Sequence, residues 1–284
     1  MTKIIIHNEI NRLTKKEKIL AEELIKAQKA EKQKIKADNL MTYQYQFKDH
    51  ADKEISVPDI YDENGTLIKI ALDTKLTLIQ NAQAYYKKYD KLKRSQEMVQ
   101  VQINHCQRDK KYAQSIEAAL DTAVSISDIE DIKQEMIKAG FLPPENKKKA
   151  SVAPSKPYKF SLPNDMILYV GKNNYQNDKL TFKLAHNDDI WLHTKDIPGS
   201  HVIIDTKGNE IDDDTLVLAA QIAAYFSKAR TSSKVPVDYV PIRYVKKPSG
   251  AKPGFVIFTN NKTLYVTPDE AQIQPIIDRD LNRK

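Results

Sequence analysis

Between Asp189 and Ile204 the chain reads DIWLHTKDIPGSHVII, which sets its only Trp and two of its six His around a Pro-Gly turn. Strand alternation places Ile190 and Leu192 on one face and Trp191 and His193 on the other. With the first face as core, Trp191 and His193 are predicted at the surface, where they can stack on a base or sugar, and half-burial of Trp191 in a purely structural role is the other reading. Lys195, Ser200 and His201 belong to the same turn, and a Gly-Ser-His segment also offers backbone N–H groups to an anion. Downstream, seven basic residues (Lys228, Arg230, Lys234, Arg243, Lys246, Lys247 and Lys252) stand against one acid, Asp238, with Lys262 shortly after. Pro and Gly hold Lys246, Lys247 and Lys252 on a short loop, a pattern that favours contact with phosphates.

Other chemistries fit less well. His186, His193 and His201 with Asp189 invite a metal site, but no Cys lies nearby and no helical pair of ligands exists, so no metal is assigned. Ser200, His193 and Asp196 could be drawn as a hydrolytic triad, yet a nucleophile elbow is missing and no residue is assigned a catalytic role. SGAKPG (Ser249 to Gly254) lacks the phosphate-loop spacing and precedes a strand, so no cofactor is expected.

The elements that must position these residues divide by glycine usage. Only seven Gly occur in 284 residues, and just two, Gly65 and Gly140, precede Gly171. Long helices follow from that scarcity. From Leu78 a three-four repeat runs through Ala82, Tyr85, Tyr89, Leu92, Gln96, Val99, Ile103, Cys106, Lys110, Ala113 and Glu117 to Leu120, the period of a coiled-coil seam. Ile10, Leu13, Leu20, Leu24 and Ala27 mark an earlier stripe on a helix expected to continue to about His50. Two antiparallel helices of roughly 45 residues extend about 65 Å. Between them, Asn64-Gly65 signals a two-residue hairpin turn within residues 54–73. A further helix, Ser127 to Ala139, is expected to be capped by Ser127 with Glu130 and to end at Gly140.

PPENKKKASVAPSKP (143–157) reads as a linker. Beyond it, strands are predicted at Tyr158–Leu162, Ile167–Val170, Ile190–Thr194, His201–Asp205, Val237–Val245, Phe255–Thr259 and Thr263–Thr267, the last two joined by an Asn260-Asn261 turn. Helices are predicted at Tyr175–Ala185 and Asp213–Ala229. The fold class is α+β: residues 1–142 as a helical arm with a β-hairpin at its tip, and 158–284 as a domain with a mixed or antiparallel sheet.

A net charge of +7, from 45 basic and 38 acidic residues, favours an anionic partner. The single cysteine, Cys106, excludes an intramolecular disulfide and suits a reducing compartment. No run approaches the roughly eighteen apolar residues of a membrane span, and the N-terminal apolar stretch is too short for a signal peptide.

Trp191, His193, Pro198 to His201, Ala223 to Tyr239, and Lys246 to Pro268 with its KPSGAKPG and TNNKTLYVTP blocks resemble the C-terminal domain of the NFACT family. Asn81, Ala82, Tyr85, Lys87, Lys88 and Tyr89 resemble that family's coiled-coil arm. No counterpart to the family's larger N-terminal domain is read here, so the chain is expected to be the C-terminal half of a longer protein. The resemblance implies a cytoplasmic, non-enzymatic RNA-binding factor of ribosome-associated quality control, which engages the large ribosomal subunit, rRNA and tRNA. Relatives bearing the name fibronectin-binding protein A imply the alternative, a surface adhesin for fibronectin or fibrinogen.

Overall fold

The computed structural model describes residues 2–47, 52–144, 153–162 and 165–281. Of the expected linker, residues 145–152 lie outside the described residues, as does the expected first-helix end near His50. The chain divides into two compact units, residues 12–109 and residues 1–11 with 110–284.

Helices α1 (Thr2–Ala27) and α2 (Ala30–Tyr43) run antiparallel to α3 (Leu78–Thr122), and the first unit takes α1 from residue 12 and α3 up to residue 109. Gln107 donates to Glu17 at 2.9 Å, and Lys93 lies 3.8 Å from Glu31. Every position of the three-four repeat in α3 is buried or half-buried, as the periodicity predicts. The expected continuous first helix instead breaks at Gln28-Lys29, where Lys29 N–H turns back to the Lys26 carbonyl. Buried residues step by seven at Leu13, Leu20 and Ala27, then hop three to Ala30 before resuming at Ala37. A three-residue hop forces local overwinding, and the tightened turn supplies it.

Strands β1 (Glu54–Pro58) and β2 (Leu67–Ala71) pair antiparallel, and Ile55, Val57 and Ile70 pack on Leu40, Leu78 and Ala82. The turn between them is longer than the two residues expected: Asp59 N–H donates to Thr66 O, and Gly65 adopts a φ of 65°. Buried Asn81 explains its place in the arm motif. Its amide donates to the carbonyls of Asp73, Leu76 and Thr77 and accepts from Asp73 N–H, fixing the entry to α3.

The second unit contains α4 (Ile126–Lys138), capped by Ser125 with Asp128 rather than by Ser127 with Glu130. Ser125 has the extended backbone that a cap requires, with φ −119° and ψ 159°. The sheet follows, with β3 (Tyr158–Ser161), β4 (Ile167–Val170), β5 (Ile190–Thr194), β6 (Val202–Asp205), β7 (Val235–Pro241) and β10 (Lys262–Val266) in the order β10-β7-β5-β6-β4-β3. All its pairings are antiparallel.

One sheet face carries Leu168, Leu192, Val202 and Val237 against α6 (Asp213–Tyr225) and α7 (Glu270–Leu281). Helix α7 has no counterpart in the sequence reading. The other face is covered too, by Leu180, Ile242 and Val245. Leu180 belongs to a π-helical turn, Leu180–Leu184, that continues α5 (Asn174–Lys179). The strand expected to run to Val245 stops at Pro241 in a tight turn, Ile242–Tyr244. Residues Val245–Lys246 (β8) then pair with Ile257–Phe258 (β9), so β9 does not join β10 through Asn260-Asn261 as expected.

Candidate nucleic-acid interface

The Pro-Gly turn is built by its own side chains and by a neighbouring segment. Thr194 Oγ1 donates to Ile197 O at 2.9 Å, and Asp196 takes a φ of 55° to close the turn. Ser200 N–H donates to Phe226 O and Lys228 N–H to Pro198 O, zipping the turn onto the residues that follow α6. A Cβ on Gly199 would sit 2.8 Å from Ser227 Cβ and 2.9 Å from Thr194 Oγ1, so the close approach admits only glycine. These bonds correct one expectation. The N–H groups of Ser200 and His201 serve Phe226 O and Asn177 Oδ1, and Ser200 itself is buried, so the turn is no anion nest.

Strand alternation holds, but its consequence does not. Trp191 does face away from Leu192, yet it is 1% exposed, because the second sheet face is covered as fully as the first. Tyr244, Val256 and Phe258 pack on that face, and Phe258 meets the indole at 4.9 Å. Half-buried His193 stacks parallel to Trp191 at 5.7 Å, and buried His201 stands edge-on to both. His201 Nε2 lies 3.1 Å from Gly254 O, a carbonyl, so Nε2 carries the proton and Nδ1 accepts from Thr181 Oγ1 at 2.8 Å. Burial, with the neighbouring His193, pushes His201 down to about 3. Burial also lowers His193, against hydrogen bonds to the backbone of Gly199 and Thr194 and the carboxylates of Asp238 and Asp196.

Gly254 explains the KPSGAKPG block. It takes a φ of 79°, and a Cβ there would fall 2.4 Å from Asn174 Oδ1. Its N–H donates to Asp178 at 2.9 Å while its carbonyl meets His201. Asn174 in turn donates to Ser115 in α3 and to buried Glu135 in α4. Burial raises the Glu135 carboxyl, against hydrogen bonds from Asn174 and Tyr112.

The cations of the sequence reading have different fates. Lys228 bridges Glu117 and Asp121 at 2.7 and 2.8 Å. Burial works against its charge, and those two carboxylates outweigh it, so the amine is raised above the usual lysine range. Arg230 pairs with Glu270 and stacks on Tyr225, Arg243 pairs with Asp188, and Lys247 with Asp178. Lys252 lies over the Tyr112 ring at 4.9 Å. Lys195, Lys234, Lys246 and Lys262 are exposed and have no carboxylate partner among the described residues. His186 joins neither His193 nor His201. It groups with Asp189 and Asp205 within 4.8 Å, where Asp189 already accepts from the N–H groups of His186 and Thr206 and Lys207 holds Asp205.

A cavity of about 550 Å³ opens beside Trp191 and His193, with Asp238 and Phe255 in its wall and Lys111 and Lys195 among its lining residues. Two family models match the chain: NFACT N-terminal and middle domains over residues 1–153, and NFACT protein RNA binding domain over residues 156–260. The chain belongs to the NFACT family. The Rqc2 homolog RqcH of Bacillus subtilis is 46% identical over 221 residues, 77% of this chain and 38% of the relative. That of Streptococcus pneumoniae is 38% identical over 269 residues, 94% of this chain and 48% of the relative. The chain thus spans less than half the length of these curated relatives. A solved C-terminal structure of the fibronectin/fibrinogen-binding protein from Streptococcus suis superposes with a TM-score of 0.75 at 33% identity, covering 97% of this chain and 96% of that one.

Within the NFACT RNA-binding match lie most of the cavity's lining residues, and α3 adds others from outside it. Lys111, Gln114 and Ser115 come from α3, Asn174 and Asn177 from α5, and Asp238 from β7. Only Asp238 left a usable signal, as the lone acid among the basic residues. It pairs directly across from His193 between β7 and β5, and its carboxylate takes the Thr263 hydroxyl.

Proposed function

We propose that this chain is the RNA- and ribosome-engaging part of a ribosome-associated quality-control factor, acting on stalled large subunits and tRNA by binding and without chemistry of its own. The observation that carries this reading is the match of residues 156–260 to an RNA-binding domain, over a region that exposes Lys195, Lys234 and Lys246 without carboxylate partners. The RqcH relatives support the ribosomal setting. Phosphate contacts would supply affinity through these cations, aided by Lys247 and Lys252 where RNA displaces their present neighbours. The arm formed by α1 to α3 would span the subunit surface, and the setting is cytoplasmic. No described helix is long and apolar enough to cross a membrane.

Crosslinking in cells followed by identification of the bound macromolecule tests the reading. Recovery of rRNA and tRNA is the expected result, and recovery of protein partners alone would overturn it. A second reading, binding of fibronectin or fibrinogen at the cell surface, is favoured by one observation, the superposition on the Streptococcus suis protein. Retention of purified fibronectin by the whole chain at physiological salt would support that role, and failure to retain it would remove it.

A further inference from the structure

The cavity beside Trp191 has features that phosphate contact alone does not use. Its size falls within the roughly 300–1,000 Å³ of small-molecule sites. Its wall is aromatic, with Trp191 and His193 stacked 14° from parallel and Phe258 closing one side. Among the described residues, Trp191 Nε1–H is the buried side-chain polar atom that has no hydrogen-bond partner. Buried donors are ordinarily satisfied, which marks this indole as the exception among the residues around the cavity. Asp238 adds a buried carboxylate, which spends one bond on Thr263 and retains capacity for further donors. At the rim, exposed Lys111 and Lys195 face one carboxylate, Asp196.

An aromatic wall of His193 and Phe255, a buried carboxylate acceptor and two rim cations complement a planar heterocycle bearing N–H groups, joined to a phosphate. We propose that this cavity takes one unpaired nucleotide, its base against half-buried His193, which backs onto Trp191, and its phosphate toward Lys111 and Lys195. The proposal rests on the RNA-binding reading and sharpens it: the exposed lysines hold the backbone, and the cavity admits a single base that is not paired. A duplex keeps its bases stacked inside and cannot present one here.

Because Trp191 is the only tryptophan, its emission reports on the cavity directly. The whole chain is titrated with AMP, CMP, GMP and UMP, and with single-stranded and duplex RNA of equal length, while anisotropy of labelled RNA follows binding independently. Saturable change in Trp191 emission with at least one mononucleotide or with single-stranded RNA, but not with duplex or with inorganic phosphate, is expected. Double charge reversal, Lys111→Glu with Lys195→Glu, lies at the exposed rim and should weaken the tightest mononucleotide about tenfold with thermal unfolding unchanged.

RNA bound by anisotropy with Trp191 emission unmoved by every ligand would overturn the cavity proposal and leave the RNA reading standing. Emission that responds to mononucleotides while no RNA binds would keep the site, assign its ligand to free nucleotides and overturn the RNA reading. Equal responses to phosphate and to nucleotides, or to duplex and single strand, would overturn the role of the base.

Discussion

The aromatic corner around Trp191 and the basic loop around Lys246 read as one RNA-facing surface in sequence, yet they fold into opposite environments. Trp191 and His201 are buried, with both His201 nitrogens engaged, while Lys246 projects from a two-stranded ribbon into solvent. Residue type pointed to recognition at the loop and left Trp191 open between recognition and half-burial. What separates them is whether the second face of the sheet is covered, and that depends on residues far along the chain: Leu180, Ile242, Val245 and Phe258. Stability should therefore dominate the consequences of altering the corner, and salt-sensitive binding those of altering the loop.

The largest expected effect breaks the comparison if it fails. Trp191→Ala removes a side chain buried on all sides and should cost about 3–5 kcal/mol of folding free energy, measured by denaturant unfolding. A loss below about 1 kcal/mol would place Trp191 at a surface after all.

Acid sensitivity comes next. His201 has a folded pKa of about 3, below its unfolded value near 6.5. Its contribution to stability is therefore complete above about pH 6.5 and is lost as pH falls toward 3, on the order of 1.4 kcal/mol per unit. His193 acts in the same direction. Glu135, raised in the folded state, acts oppositely, losing its contribution as pH rises above its unfolded value near 4.5. The histidine is best followed alone, by the NMR signal of its imidazole, which should not titrate between pH 8 and 5. A midpoint near 6.5 would contradict a buried neutral ring.

A smaller effect is expected at the turn. Gly199→Ala places a methyl 2.8 Å from Ser227 Cβ and should cost about 1–3 kcal/mol, read from the shift in thermal midpoint. An unchanged midpoint would mean that the contact between the turn and the segment after α6 gives way easily.

Much of the fold was legible because it follows from periodicity. The α3 seam and the antiparallel strands from Tyr158 to Asp205 needed only repeat spacing and alternation. Three elements escaped for physical reasons. The break at Gln28-Lys29 has neither Pro nor Gly and is visible only as a three-residue hop between Ala27 and Ala30. Helix α7 carries Pro275 in its interior, a residue that argues against a helix, although Ile273 and Ile277 bury against the sheet. Pairing of β9 with β8 is a choice between two nearby partners that local turn residues do not decide. The candidate site was half legible: motif residues marked the corner, but Lys111, Gln114 and Asn174 come from other elements and carry no pattern of their own.

The proposed function has RNA held electrostatically by exposed lysines of the NFACT RNA-binding domain. It is tested most directly by the salt dependence of rRNA binding for the parent chain and for a Lys195→Ala, Lys246→Ala, Lys262→Ala variant. Each lost phosphate contact lowers the slope of log K against log salt by about 0.7–0.9, so the triple variant should lose about two units with unfolding unchanged. A folded variant that binds with the parent's affinity and slope would contradict the claim.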